Sequence, residues 1–167
     1  MRKAILDSST VQALSAATAA ILCPPFEWCP IPGGAVTIED ARHYGGSQGG
    51  RYQVDDLAIA KYPITNAQYK RFLDHPNGYT NHQWWEYSPE AAQWRRDHER
   101  PRPTAFEGPD LPRTRVSWFD SLAFCHWLSA EHNLHGAPND LAKGRIRLPT
   151  EQEWQRAAVG DSGRSYP

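Results

Sequence analysis

The stretch RIRLPTEQEWQRAA, Arg145 to Ala158, decides how the rest of the chain is read. Thr150 is followed three residues later by Glu153, the spacing of a capping box. In that arrangement the threonine hydroxyl accepts from the amide three residues on, and the glutamate reaches back to the cap's own amide. Glu151 puts a further acid in the first turn, where the helix dipole favours negative charge. The pattern predicts a helix from Thr150 with Trp154, Ala157 and Ala158 turned inward. Arg147, just upstream, is expected to pair with a carboxylate beneath the loops. A helix entered this firmly, so near Pro167, is expected to connect to structure built after it.

The same device recurs upstream. In YPITNAQYKRFL, Thr65 and Gln68 form the box, Ile64 and Tyr69 stand at staple positions around it, and Tyr69, Phe72 and Leu73 make the inner face. In TRVSWFDSLAFCHWLSAEH, Ser117 and Asp120 share the spacing. There Trp118, Phe119, Leu122, Phe124, Cys125, Trp127 and Leu128 cover more than one stripe, which predicts a central helix. Before these helices, FEWCPIPGGAVTIED reads as a strand kinked at Pro32-Gly33-Gly34, and RYQVDDLAIAKYPI as its partner after the turn YGGSQGG. A hairpin over Ala35 to Ile64 follows. The glycine cluster has neither the spacing of a phosphate loop nor a helix behind it, so its glycines are assigned to a turn.

At the start, MRKAILDSSTVQALSAATAAILC has a basic, alanine-rich opening like a leader, but Asp7 to Thr10 interrupt it and Leu22 is too large to precede a processed cysteine. An amphipathic helix is the better reading, with Val11, Leu14, Ile21 and Leu22 on one stripe and Thr18 packing its methyl among them. Pro24 and Pro25 end it, giving an N-terminal helix over 1–24 and a domain over 25–167.

The 167 residues suffice for one core. A net charge of −1 excludes a general polyanion binder, so no nucleic-acid partner is expected. No run reaches the roughly 18 to 20 apolar residues of a spanning helix, so no membrane partner is expected either. Seven Trp, seven Tyr, fourteen Pro and twelve Gly point to a loop-rich α+β domain. Cys23, Cys29 and Cys125 form no disulfide framework, which suits a reducing, cytoplasmic setting. Cys125 sits in an apolar helix and reads as a small hydrophobe, while Cys23 and Cys29 lack further ligands for a metal. His132 and His135, three apart near a helix end, read as exposed and interacting with the dipole and solvent.

The long segment Gly78 to Arg113 is too rich in Pro and polar residues for one element. Its Trp84, Trp85, Trp94, Arg95 and Arg96 are the candidate ligand-facing residues, because paired aromatics beside cations can stack rings and hold anions. The competing and preferred reading makes the aromatics a roof over the core.

Together YPITNAQYKRFL, PRTRVSWFDSLAFCHWLS and IRLPTEQEWQRAAVGDSGRSYP, preceded by WCPIPGG, resemble the formylglycine-generating enzyme family, or sulfatase-modifying-factor domains, from about Phe26 to Pro167. The resemblance implies a C-type-lectin-like α+β fold, incomplete at the C-terminus. It gives structural parts to Thr65, Asn66, Gln68, Ser117, Trp118, Asp120, Arg147, Thr150, Glu151, Glu153 and Trp154. In complete members a second half carries calcium-binding loops and a cysteine pair that binds copper and oxidises a substrate cysteine. No position here matches those residues, so no catalytic residue, metal ligand or cofactor is assigned within this chain. Iron-dependent relatives use an H-x-x-x-H-x-E motif, which is absent.

Two functions follow from the resemblance: the N-terminal part of a formylglycine-generating oxidoreductase, or a non-catalytic binding scaffold of the kind found in variable receptors and bacterial sensor proteins. VTIED, where enzymes of the family have an F-x-M-G run, leans towards the scaffold. The expected partner is a protein or peptide ligand, with self-association through uncovered apolar surface if the chain is truncated.

Overall fold

A computed structural model describes residues 8–45, 48–134 and 146–160. Its elements are helix α1 (Ser8–Leu22), strands β1 (Trp28–Ile31), β2 (Gly34–Ile38), β3 (Gly50–Val54) and β4 (Leu57–Ala60), and helices α2 (Asn66–Asp74), α3 (Pro89–Asp97), α4 (Trp118–Leu134) and α5 (Glu151–Val159). Single 3-10 turns cover Arg42–Tyr44 and His82–Trp85. This mixture of helices and small antiparallel sheets is an α+β arrangement. The described residues fall into two compact units, one holding 8–12, 28–45, 48–61 and 149–160 and the other 13–27, 62–134 and 146–148.

The first unit is built on the expected hairpin, interrupted once. β2 pairs antiparallel with β3 from Gly34 opposite Val54 to Ile38 opposite Gly50, and β1 pairs with β4 from Trp28 opposite Ala60 to Ile31 opposite Leu57. Between the ladders, Pro32-Gly33 faces Asp55-Asp56, and the Gly33 amide donates to Asp56 Oδ1 at 2.7 Å. A Cβ on Gly33 would stand 2.8 Å from the Val54 carbonyl, which explains a glycine at the kink. α5 packs on β2. Val36, Ile38, Val54 and Val159 form the core.

α5 starts as anticipated: Thr150 Oγ1 accepts from the Glu153 amide, and the Glu153 carboxylate accepts from the Thr150 amide at 2.8 Å. The inward face differs from expectation in part: Ala158 packs against the core, but Trp154 does not. Arg156 and Val159 are buried, whereas Trp154 is 56% exposed. Trp154 lies two residues before Arg156, about 200° around the helix. Arg156 sets the rotation: its guanidinium donates to the carbonyls of Pro32, Gly33 and Gly160 at 3.0, 3.3 and 2.7 Å. Gly34 leaves room for it, since a Cβ there would stand 2.8 Å from the guanidinium carbon.

The second unit is an aromatic cluster gathered around Phe72 of α2. The rings of Trp127, Tyr69, Tyr79, Phe124 and Trp85 lie with centroids 5.3 to 6.0 Å from it. α4 is central as expected, burying Ala123, Phe124, Cys125, Trp127 and Leu128, but Trp118 in its first turn is 61% exposed. Thr18 of α1 does more than pack a methyl. It is fully buried, its hydroxyl donates to the Leu14 carbonyl at 2.8 Å, and it lies 2.7 Å from His132 Nε2. A threonine has one hydroxyl proton, so Nε2 is the donor of that second bond. His132 is therefore buried and hydrogen-bonded, not the exposed histidine expected; His135 lies outside the described residues.

Candidate functional site

The entry to α2 concentrates polar structure. Thr65 and Gln68 complete their capping box. Gln68 Nε2 also donates to the Pro25 carbonyl at 2.8 Å, tying the turn after α1 to the start of α2. The amides of Asn66 and Ala67 donate to the carbonyls of Leu111 and Pro109, both at 2.9 Å, while Asn66 Nδ2 donates to those of Phe106 and Gly108. Asn66 thus fastens the far end of the long insertion beside α2.

At α4 the third box forms as well: Ser117 Oγ accepts from the Asp120 amide at 3.1 Å, and Asp120 Oδ2 accepts from the Ser117 amide at 3.0 Å and its hydroxyl at 2.7 Å. Asp120 is buried, and its Oδ1 has no hydrogen-bond partner among the described residues. Burial, with a smaller push from the Asp120 charge, raises the hydroxyls of Tyr79 and Tyr87 each to about 12, and Tyr69 is raised further by the same two causes. These tyrosines stay neutral across the physiological range and offer no acid or base near neutral pH.

The insertion divides its candidate residues. Trp84 and Trp85 are buried in the aromatic core, so they form a roof and present no face to a ligand. Arg95 is buried too, with its guanidinium 4.8 Å from the Tyr79 ring and 5.3 Å from that of Trp85, and it donates to the His98 carbonyl at 3.2 Å. Two ring faces and a carbonyl thus compensate a cation held away from water. Trp94 is half-buried between other groups: the His98 ring stacks on it at 3.7 Å and Arg102 lies 5.5 Å from its centre. Arg96 is exposed and bonded to Gln93. Trp94 and Arg96 border a shallow depression of about 540 Å³ with Phe119 and Asp97. Of the five, Trp94 and Arg96 line this depression.

A second concavity has a volume of about 500 Å³. It lies between the turn after α1 and the entry to α2, and is lined by Cys23, prolines 24, 25, 63 and 112, Phe26, Tyr62, Glu27 and Asp110. No sequence pattern marks it, because its walls come from three separated segments. Arg147 is exposed and donates to the Leu148 carbonyl, and Glu151 is exposed in the first turn of α5.

Cys125 lies within the aromatic core, and among the described residues no three His, Cys, Asp or Glu side chains stand together as a metal site would require. No described helix is long and apolar enough to cross a membrane.

Comparison with known families gives a match over residues 24–167 to the Sulfatase-modifying factor enzyme 1-like domain. The chain belongs to that family. The domain is similar to a formylglycine-generating enzyme of Bos taurus, 24% identical over 82% of this chain and 40% of the relative. It is also similar to a hercynine oxygenase of Mycolicibacterium thermoresistibile, 31% identical over 68% of this chain and 25% of the relative. A third relative is the inactive C-alpha-formylglycine-generating enzyme 2 of Mus musculus, 38% identical over 50% of this chain and 22% of the relative. The chain thus spans two fifths or less of the length of these relatives. Within it, the capping residues Thr65, Gln68, Ser117, Asp120, Thr150 and Glu153 fix helix starts, and Asn66 holds a loop.

Proposed function

We propose that this chain is the N-terminal part of a formylglycine-generating-like domain in which residues 25–167 form a C-type-lectin-like scaffold, with α1 added before it. The activity of the whole would be an oxidation, that of a substrate-protein cysteine to formylglycine, carried out by groups outside these residues. The observation that carries this reading is the family match across residues 24–167, with similarity to both a formylglycine-generating enzyme and a hercynine oxygenase. The second of these relatives is named for an oxidation.

The described residues serve such an enzyme as supports. Three capping boxes and the Arg156 clamp on Pro32 and Gly33 fix backbone in place, which is the part a scaffold plays for loops carried elsewhere. A second reading, a non-catalytic scaffold that binds a protein or peptide ligand, is favoured by the 38% identity to a relative named as inactive.

The test is the intact mass of the polypeptide from its source cells, followed by sequencing of any residues beyond 167. A longer chain carrying a cysteine pair, which with copper converts a peptide cysteine to the aldehyde, supports the enzyme. A chain without that pair, or with the pair but no conversion, overturns it in favour of the scaffold.

A further inference from the structure

The cleft beside α2 has a definite chemical character. The charged side chains that line it, Glu27 and Asp110, are both acids. Thr65 and Gln68 also line it, but their side chains are engaged in the capping box and with the Pro25 carbonyl. An occupant therefore meets prolines, the rings of Phe26 and Tyr62, and the exposed carboxylate of Asp110. Tyr62 is 63% exposed, a large apolar surface turned to solvent. Such a lining selects an extended, apolar backbone that carries positive charge.

The same unit displays a segment of that kind, Arg100-Pro101-Arg102-Pro103. Each proline fixes its own φ and biases the residue before it toward extended backbone, so little freedom is left to lose on docking. Arg100, Arg102 and Pro103 are exposed. The segment is braced on one side only. The Arg102 carbonyl accepts from the Arg113 guanidinium and the Arg102 side chain lies over Trp94, whereas Arg100 makes no hydrogen bond or ion pair among the described residues.

We propose that the cleft of one copy receives the Arg100–Pro103 segment of a second copy, with Arg100 facing Asp110. The contact is head-to-tail, since the two surfaces differ, so it adds copies with rising concentration unless the rotation closes a ring. Its charges lie at an exposed rim, which makes the association fast, weak and sensitive to salt.

Sedimentation velocity of the 167-residue chain tests this. At low salt the weight-average sedimentation coefficient rises with concentration, and at about 0.5 M salt it returns to the monomer value as screening shortens the reach of the charges. Asp110→Arg and Arg100→Glu each hold the chain at the monomer value, and the two together restore association. Both residues are exposed, and circular dichroism checks that every variant is folded. A monomer at all concentrations overturns the proposal. So does association that survives either single substitution, as contact through apolar surface alone would, or a folded double variant that stays monomeric.

Discussion

The two units solve the burial problem with different materials. One closes its core with four valine and isoleucine side chains, one of them on the covering helix, while the other interlocks five aromatic rings around Phe72, with a buried arginine against two of them. A small aliphatic core loses little when one residue is trimmed. Interlocked rings lose both area and specific geometry, because ring pairs contribute about 0.5–1.5 kcal/mol beyond their burial. The aromatic unit should therefore be the more easily damaged by truncation and the more rigidly specified when intact.

Phe72→Ala tests that difference most directly. It should destabilise the chain by about 3–5 kcal/mol, against about 2 kcal/mol for Val54→Ala, as read from urea unfolding followed by near-ultraviolet circular dichroism. Equal losses would remove the distinction. Next in size is Gly78→Ala, where an added Cβ would stand 1.9 Å from the Phe72 carbonyl. The chain must shift to admit it, at about 1–3 kcal/mol, and site-resolved hydrogen exchange should show faster exchange in α2. If the exchange of α2 is unchanged, Phe72 is less tightly held than its neighbours indicate.

Smaller effects sharpen the comparison. Thr65→Ala and Thr150→Ala each remove a cap hydroxyl, one per unit, and each should lower stability by about 1 kcal/mol. A markedly larger loss for Thr65 would mean that the stem of the insertion depends on that cap. An alkaline effect is expected in the aromatic unit. Tyr79 and Tyr87 are raised by burial to about 12, from an ordinary value of about 10. Above pH 10 the unfolded chain loses protons that the folded chain keeps, so stability is full below that point and falls as the pH rises towards 12. The urea midpoint should decline over that window, and less so in a Tyr79→Phe, Tyr87→Phe variant.

Much of this architecture is legible in the sequence where interactions are local. All three capping boxes lie within four residues, and the hairpin follows from alternation and a glycine-rich turn. What escaped reading depends on partners far along the chain. The rotation of α5 is set by Arg156 reaching carbonyls more than a hundred residues earlier, and an apolar pattern gives Trp154 more weight than an arginine. His132 looked like a surface residue because its partner, Thr18, lies 114 positions away. The insertion was legible in part: the roof reading places Trp84 and Trp85 correctly, but nothing local shows Arg95 buried between rings.

The pinning of Leu111 and Pro109 to the first amides of α2 has a consequence for how the chain is made. A helix leaves its first amides without intrahelical partners, and here two of them are satisfied by carbonyls more than forty residues downstream. On the ribosome α2 can wind and place its own hydroxyl cap as soon as it emerges. Its entry stays unfinished until Leu111 has been synthesised, so a nascent chain halted before that residue carries an open helix end on which a chaperone can act.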